Sequence, residues 1–181
     1  MTPEAPNRSV GRWRLLRPGV EPWRNSLVEA SDNFVERLGL PHPTTWSDLQ
    51  TAVETVYGKP IYLVASNSQE LSTVTGLWID TPSFGAIVCR ERDDLYYQSQ
   101  NACHELAHIL FLSAPDEWFN PLLPRLPRWP TVGRGATQLC APVDNQNAIE
   151  SRVEIAVEEV AFAMTRRIQS ISRTAEEAYF G

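Results

Sequence analysis

Residues 102–112 read ACHELAHILFL, an apolar run that contains His104, Glu105 and His108. Side chains four residues apart lie on the same face of a helix, with Cβ atoms about 5–6 Å apart. The ring nitrogens of the two histidines can therefore share one ion. The His-Glu-x-x-His spacing predicts a helix that presents two metal ligands.

The residue between the two histidines predicts the chemistry of such a site. Zinc accepts imidazole nitrogens at about 2.0–2.1 Å in a tetrahedral shell. On an ideal helix Glu105 lies about 100° round from His104, so it is a poor ligand beside the pair. It is well placed as the general base of metal-assisted hydrolysis. The alternative is an ordinary buried helix in which this spacing has arisen by chance. We favour the metal site, with Zn²⁺ as the cofactor.

The composition is that of one soluble globular domain. The chain has 181 residues, of which 43% are hydrophobic and 21% charged, and a formal net charge of −6. This charge argues against direct nucleic-acid binding, which depends on clustered Lys and Arg. Three cysteines without CxxC spacing favour a reducing compartment. No transmembrane span or secretory signal is visible in the sequence, so we expect a cytoplasmic protein without membrane partners.

Charge and proline content divide the chain into segments. Residues 1–20 hold four arginines and one acidic residue and predict a flexible basic N-terminal arm. Residues 21–172 form a single predicted domain, and residues 173–181 a C-terminal tail. A Pro-rich insert at 114–147 contains six of the fourteen prolines. Its length favours a lid or binding loop, and the alternatives are a disordered insert or a proline ligand for another module.

Apolar spacing predicts four helices, and β-branched and aromatic runs between turn residues predict three strands. The helices cover residues 26–38, residues 49–56 after a capping segment at 44–48, the stretch from Asp93–Asp94 to Ser113, and residues 148–171. The strands cover residues 61–65, 74–80 and 84–89. The predicted fold is α+β, with a small three-stranded antiparallel sheet ahead of the helix that carries the histidines.

A catalytic zinc needs a third protein ligand and one open position. A third histidine six residues after His108 is excluded because position 114 is alanine. The last helix offers carboxylates on one flank. We rank Glu158 first because it is central in the apolar section of that helix, Glu154 second and Glu159 third.

Four segments, taken in order, resemble the ImmA/IrrE-like zinc metallopeptidases, especially actinobacterial and phage-borne members. The resemblance covers about residues 26–165. The segments are LGLP at 38–41, YGKPIYL at 57–63, GLW at 76–78 and HELAHIL at 104–110.

This resemblance implies zincin-like helices packed with the sheet, and HExxH on a central helix. It also implies that the third ligand is a Glu on a later helix, followed by a Phe-Ala pair. Phe162 and Ala163 then select Glu158. Members of the family are associated with cleavage or inactivation of helix-turn-helix repressors.

The predicted function is a gluzincin-like zinc metalloendopeptidase that hydrolyses a peptide bond in a protein substrate. The resemblance implies a helix-turn-helix transcriptional repressor of a mobile element or stress response as that substrate. We expect the substrate to lie along the sheet edge at residues 84–90. One alternative is a non-catalytic regulatory or toxin-antitoxin-type module that keeps the zinc fold and docks to a repressor or other partner. Another is a closed structural zinc site completed by Cys103, Cys140 or a second Glu.

Overall fold

A computed structural model describes four parts of the chain. They are residues 22–72, 76–122, 137–139 and 148–180. The predicted basic arm lies outside the described residues, as do Cys140 and most of the Pro-rich insert.

The described residues form five α-helices, a short 3₁₀ helix and four strands. The helices are α1 (Pro22–Glu36), α2 (Trp46–Tyr57), α3 (Leu95–Ser113), α4 (Asp116–Phe119) and α5 (Ala148–Phe180). The strands are β1 (Ile61–Ser66), β2 (Gly76–Asp80), β3 (Gly85–Arg90) and β4 (Thr137–Leu139), and the 3₁₀ helix is Gln69–Ser72. The predicted α+β class is confirmed. Two of these elements, α4 and β4, lie in the segment that the sequence shows only as a Pro-rich insert.

Local sequence sets both ends of α2. The Thr45 hydroxyl accepts a hydrogen bond from the Asp48 backbone N–H at 3.2 Å. In return, the Asp48 carboxylate accepts one from the Thr45 N–H at 2.8 Å. This capping box satisfies two N–H groups that the helix leaves free. Gly58 ends the helix in the left-handed region, at φ 78°. The chain is thereby turned into β1.

The sheet is mixed, with strand order β1-β3-β2-β4. The predicted hairpin is present, because β2 pairs antiparallel with β3 through a turn closed between Thr81 and Phe84. However, β1 runs parallel to β3, with Ile61 opposite Gly85. The prediction of an all-antiparallel sheet was therefore wrong. A run of β-branched and aromatic residues identifies a strand, but it carries no information about the direction of its neighbour.

The position of β3 also corrects the expected substrate edge. Strand β3 lies between β1 and β2 and pairs with both of them. A peptide cannot add to a strand whose two edges are already hydrogen-bonded, so residues 84–90 do not provide that site. The outer strands of the described sheet are β1 and β4.

Helix α3 is central in the described fold and packs against α5, α2, β2 and β3. Its residues Leu106, Ile109 and Leu110 are fully buried, and they join Val157 and Val160 of α5 in one apolar cluster. A helix covered on several sides needs apolar residues around most of its circumference. The run at residues 102–112 has this composition, so the helix that carries the histidines is held in the interior.

Helix α5 continues to Phe180, past the predicted end at Ile171. The backbone of residues 173–180, predicted to be a tail, is helical. The sequence Ala175-Glu176-Glu177-Ala178 consists of good helix formers. Across the part of the chain that is described, no helix is both long and apolar enough to cross a membrane.

An aromatic cluster ties α1 to α3 and α4. Phe34 of α1 is 1% exposed. Its ring centroid lies 5.9 Å from that of Phe111, and 5.5 Å from those of Trp118 and Phe119. Aromatic pairs at these distances contribute about 0.5–1.5 kcal/mol each beyond their buried area.

We therefore expect Phe34→Ala to lower the free energy of unfolding by about 3–5 kcal/mol, because it leaves a cavity among three rings. Urea denaturation followed by circular dichroism measures the change. Phe162→Ala is the matched control, since Phe162 is 38% exposed and should cost only about 1 kcal/mol. A loss in Phe34→Ala no larger than the loss of about 1 kcal/mol expected for the control would show that the cluster does not stabilise the fold.

Candidate metal centre

Helix α3 presents His104 and His108 on one face. Its N-cap is Asp94, whose side chain accepts a hydrogen bond from the Tyr97 N–H at 3.0 Å. The helix then runs to Ser113, which places the two histidines one turn apart, as their spacing predicts. Their Nε2 atoms lie 3.2 Å from each other. Both imidazoles therefore face a common point.

Glu154 of α5 supplies a third group at this point. Its Oε2 atom lies 3.6 Å from the Nε2 atom of His104 and 3.6 Å from that of His108. A tetrahedral ion with bonds of about 2.0–2.2 Å holds its ligand atoms about 3.3–3.6 Å apart. The separations of 3.2, 3.6 and 3.6 Å lie within about 0.1 Å of this range. His104, His108 and Glu154 could thus hold a metal ion.

Glu158, the first-ranked candidate for the third ligand, occupies a different position. Its Oε2 atom lies 2.8 Å from Nδ1 of His104, the ring nitrogen that faces away from the common point. Glu154 and Glu158 lie on the same flank of α5, about 6 Å apart along its axis. The docking of α5 on α3 decides which turn is level with the histidines. The geometry favours Glu154, and neither Glu158 nor Glu159 belongs to the group of ligand atoms found among the described residues.

The centre is largely shielded from solvent. The side chains of His104 and Glu154 are each 16% exposed and that of His108 is 4% exposed. Burial alone raises the pKa of Glu154, but the adjacent imidazoles of His104 and His108 outweigh it and lower the pKa to about 2. Glu154 is therefore ionised at neutral pH, which is the form that binds a cation.

Glu105 lies on the sheet side of α3 and is fully buried. On an ideal helix it is about 60° round from His108. A Cβ atom added at Gly76 would come within 2.8 Å of Glu105 Oε1 and 3.3 Å of its Cγ. Burial, followed by the charge of Glu105, raises the pKa of Cys89 to about 11, and Cys89 is the β3 partner of Gly76. Glu105 therefore faces the Gly76–Cys89 pair.

The sequence identifies Gly76 only as part of the GLW segment. Its structural role is to let β2 approach the Glu105 side chain more closely than any other residue could. A glycine inside a predicted strand is a recognised sign of such an approach. The glycine does not identify the side chain that comes close, because Glu105 lies on a different element, α3.

Of the cysteines in the described residues, neither Cys89 nor Cys103 belongs to the group of ligand atoms. Cys103 is fully buried and has a free thiol. Burial raises its pKa to about 12, so it is protonated at neutral pH. A closed structural site completed by Cys103 receives no support from this geometry. Cys140, the other cysteine considered for that role, lies outside the described residues.

Comparisons of the chain with protein-family models, with curated proteins and with solved structures find no match. The resemblance to the ImmA/IrrE-like peptidases therefore stays a prediction from short motifs. The candidate site rests on its own geometry.

We expect Gly76→Ala to destabilise the protein by about 1–3 kcal/mol, because the new methyl group overlaps the Glu105 side chain. The same substitution in a Glu105→Ala background should cost much less, since the overlapping atoms are gone. A double-mutant cycle of unfolding free energies measures the difference as a coupling of about 0.5–3 kcal/mol. Additive effects would show that Gly76 and Glu105 do not constrain each other.

Proposed function

We propose that the protein is a zinc-dependent metallopeptidase, with zinc held by His104, His108 and Glu154. The observation that carries this proposal is the triangle of ligand atoms, with separations of 3.2, 3.6 and 3.6 Å. Such separations suit a four-coordinate ion, and three protein ligands leave the fourth position open.

The donor set supports zinc over other common cations. Magnesium and calcium prefer shells made of oxygen atoms, whereas two imidazoles and one carboxylate form a ligand set found in hydrolytic zinc enzymes. When bound, zinc supplies Lewis acidity, which polarises a carbonyl group and activates water. The ionised Glu154 offsets part of the charge of the cation.

Glu105 supplies the proton transfer in the proposed reaction. Its carboxylate takes a proton from the attacking water and passes it to the amine nitrogen of the departing peptide. A position next to His108 on the same helix suits this role. The contact with Gly76 supports the proposal further, because it limits the positions that the Glu105 carboxylate can adopt.

The proposed substrate is a protein, and a helix-turn-helix repressor is the class that the motif resemblance suggests. The support for a repressor as substrate consists of the four sequence segments that resemble the ImmA/IrrE-like peptidases. Cleavage of such a repressor would relieve transcriptional repression.

A second candidate function is docking without catalysis, and one observation favours it. Tyr62, Leu63 and Val64 on the outer strand β1 are 56%, 41% and 44% exposed. Exposed apolar side chains on an outer strand can serve as a protein-binding surface. Retention of Glu105 favours catalysis, because a docking module has no need for a general base.

We expect the 181-residue chain to bind one zinc ion. Glu154→Gln should weaken zinc binding by more than about 100-fold, because it removes a ligand. Loss of a residue that only hydrogen-bonds a ligand typically costs about 10–100-fold. Competition with a chromogenic chelator measures the affinity. Glu159→Gln is the matched control on the neighbouring flank of α5 and should bind zinc with the affinity of the wild type. Unchanged affinity in Glu154→Gln would exclude Glu154 as a ligand.

We expect Glu105→Gln to keep its zinc and to hydrolyse protein at least about 100-fold more slowly, because the proton acceptor is lost. The assay incubates zinc-loaded protein with denatured casein and with purified helix-turn-helix repressors, and detects cleavage by mass spectrometry. A wild-type protein that binds zinc and repressor but cleaves neither substrate would contradict the peptidase proposal and favour docking.

A further inference from the structure

Two carboxylates of α5 contact opposite nitrogens of one imidazole ring. Glu154 lies on the Nε2 side of His104 at 3.6 Å. Glu158, one helical turn later, lies 2.8 Å from Nδ1. The two side chains also differ in exposure, at 16% for Glu154 and 43% for Glu158. The outer carboxylate is therefore in direct contact with the ring of a ligand, on the side away from the common point.

The contact with Glu158 determines which ring nitrogen of His104 carries the proton. A neutral imidazole carries one N–H donor and one lone pair, and an ionised carboxylate can only accept hydrogen bonds. A hydrogen bond at 2.8 Å between His104 Nδ1 and Glu158 therefore requires the proton on Nδ1. The lone pair is then on Nε2, which points toward Glu154 and His108.

We infer that Glu158 is a positioning residue of the metal centre. By accepting the Nδ1–H hydrogen bond, it selects the tautomer of His104 that can bind a cation through Nε2, and it fixes the angle of the ring. A histidine ligand typically donates its second ring nitrogen to such an acceptor, and loss of the acceptor costs about 10–100-fold in metal affinity. This inference rests on the proposed metal site and assigns to Glu158 a role different from that of Glu154.

The same geometry argues against Glu158 as a ligand in this arrangement. The two nitrogens of an imidazole ring point away from each other. A carboxylate that accepts a hydrogen bond from Nδ1–H therefore cannot also lie beside Nε2, where the ion would bind. To join the group, the Glu158 carboxylate would have to leave Nδ1 and reach past the ring. Glu154 already lies at that position, 3.6 Å from both Nε2 atoms.

The first experiment uses the metal-free 181-residue protein, labelled with ¹⁵N-histidine. Long-range proton–nitrogen correlation NMR reports which ring nitrogen carries the proton. We expect the Nδ1–H tautomer at His104 in the wild type and in Glu158→Gln, whose amide oxygen can still accept the bond. Glu158→Leu should lose this preference. A His104 that carries its proton on Nε2 in the wild type would overturn the inference.

The second experiment measures zinc affinity and the absorption spectrum of the Co²⁺-substituted protein. We expect Glu158→Leu to bind zinc about 10–100-fold more weakly and to keep a wild-type spectrum, since all ligands remain. Glu158→Gln should recover most of the affinity. Glu159→Leu, on the adjacent position of α5, should match the wild type and controls for changes to the helix.

Two further outcomes would overturn the inference. If Glu158→Gln and Glu158→Leu lose zinc equally and both alter the Co²⁺ spectrum, Glu158 is itself a ligand and the inference is overturned. It is also overturned if Glu158→Leu retains both the tautomer and the affinity. Failure of the proposed peptidase function is a separate result, since it is read from protein cleavage or from a wild-type chain that binds no zinc.

Discussion

The packing of α5 against α3 is the constraint on which the candidate centre depends. It brings the Glu154 carboxylate to 3.6 Å from the Nε2 atoms of both His104 and His108. Residues on successive turns of a helix differ by about 5.4 Å in axial position, so a shift of one turn would place a different carboxylate there. Buried residues on both helices, among them Leu106, Val157 and Val160, fix this relative position. The apolar core therefore determines which carboxylate of α5 lies level with the two histidines.

The cost of burying polar groups explains why the centre is organised as it is. His108 and Glu105 are buried on a helix whose other buried side chains are apolar. Buried polar and charged groups are tolerated in proteins when they are paired or bind a metal. The imidazoles keep Glu154 ionised, and Glu158 contacts the outer nitrogen of His104. Together these contacts form a short polar network between α3 and α5, which a bound cation would complete.

Local sequence predicted much of the secondary structure for identifiable physical reasons. Thr45 and Asp48 form the capping box expected at the start of α2, and Asp94 caps α3. Runs of β-branched and aromatic residues between turn residues marked β1, β2 and β3, and the hairpin between the last two was predicted correctly. The parallel pairing of β1 with β3 was not predicted, because it joins residues 24 positions apart through backbone groups that every residue possesses. The short strand β4 lacked a local signal within the Pro-rich segment.

For the candidate site, the sequence alone determined the spacing of His104 and His108, since four residues make about one helical turn whatever the surrounding fold. It also placed Glu105 between them and limited the third carboxylate to a few residues of the last helix. Only the tertiary structure distinguished Glu154 from Glu158, and only it showed that Gly76 lies against Glu105. Helix periodicity is a property of neighbouring residues, whereas the level at which two helices meet depends on how all their buried side chains pack together.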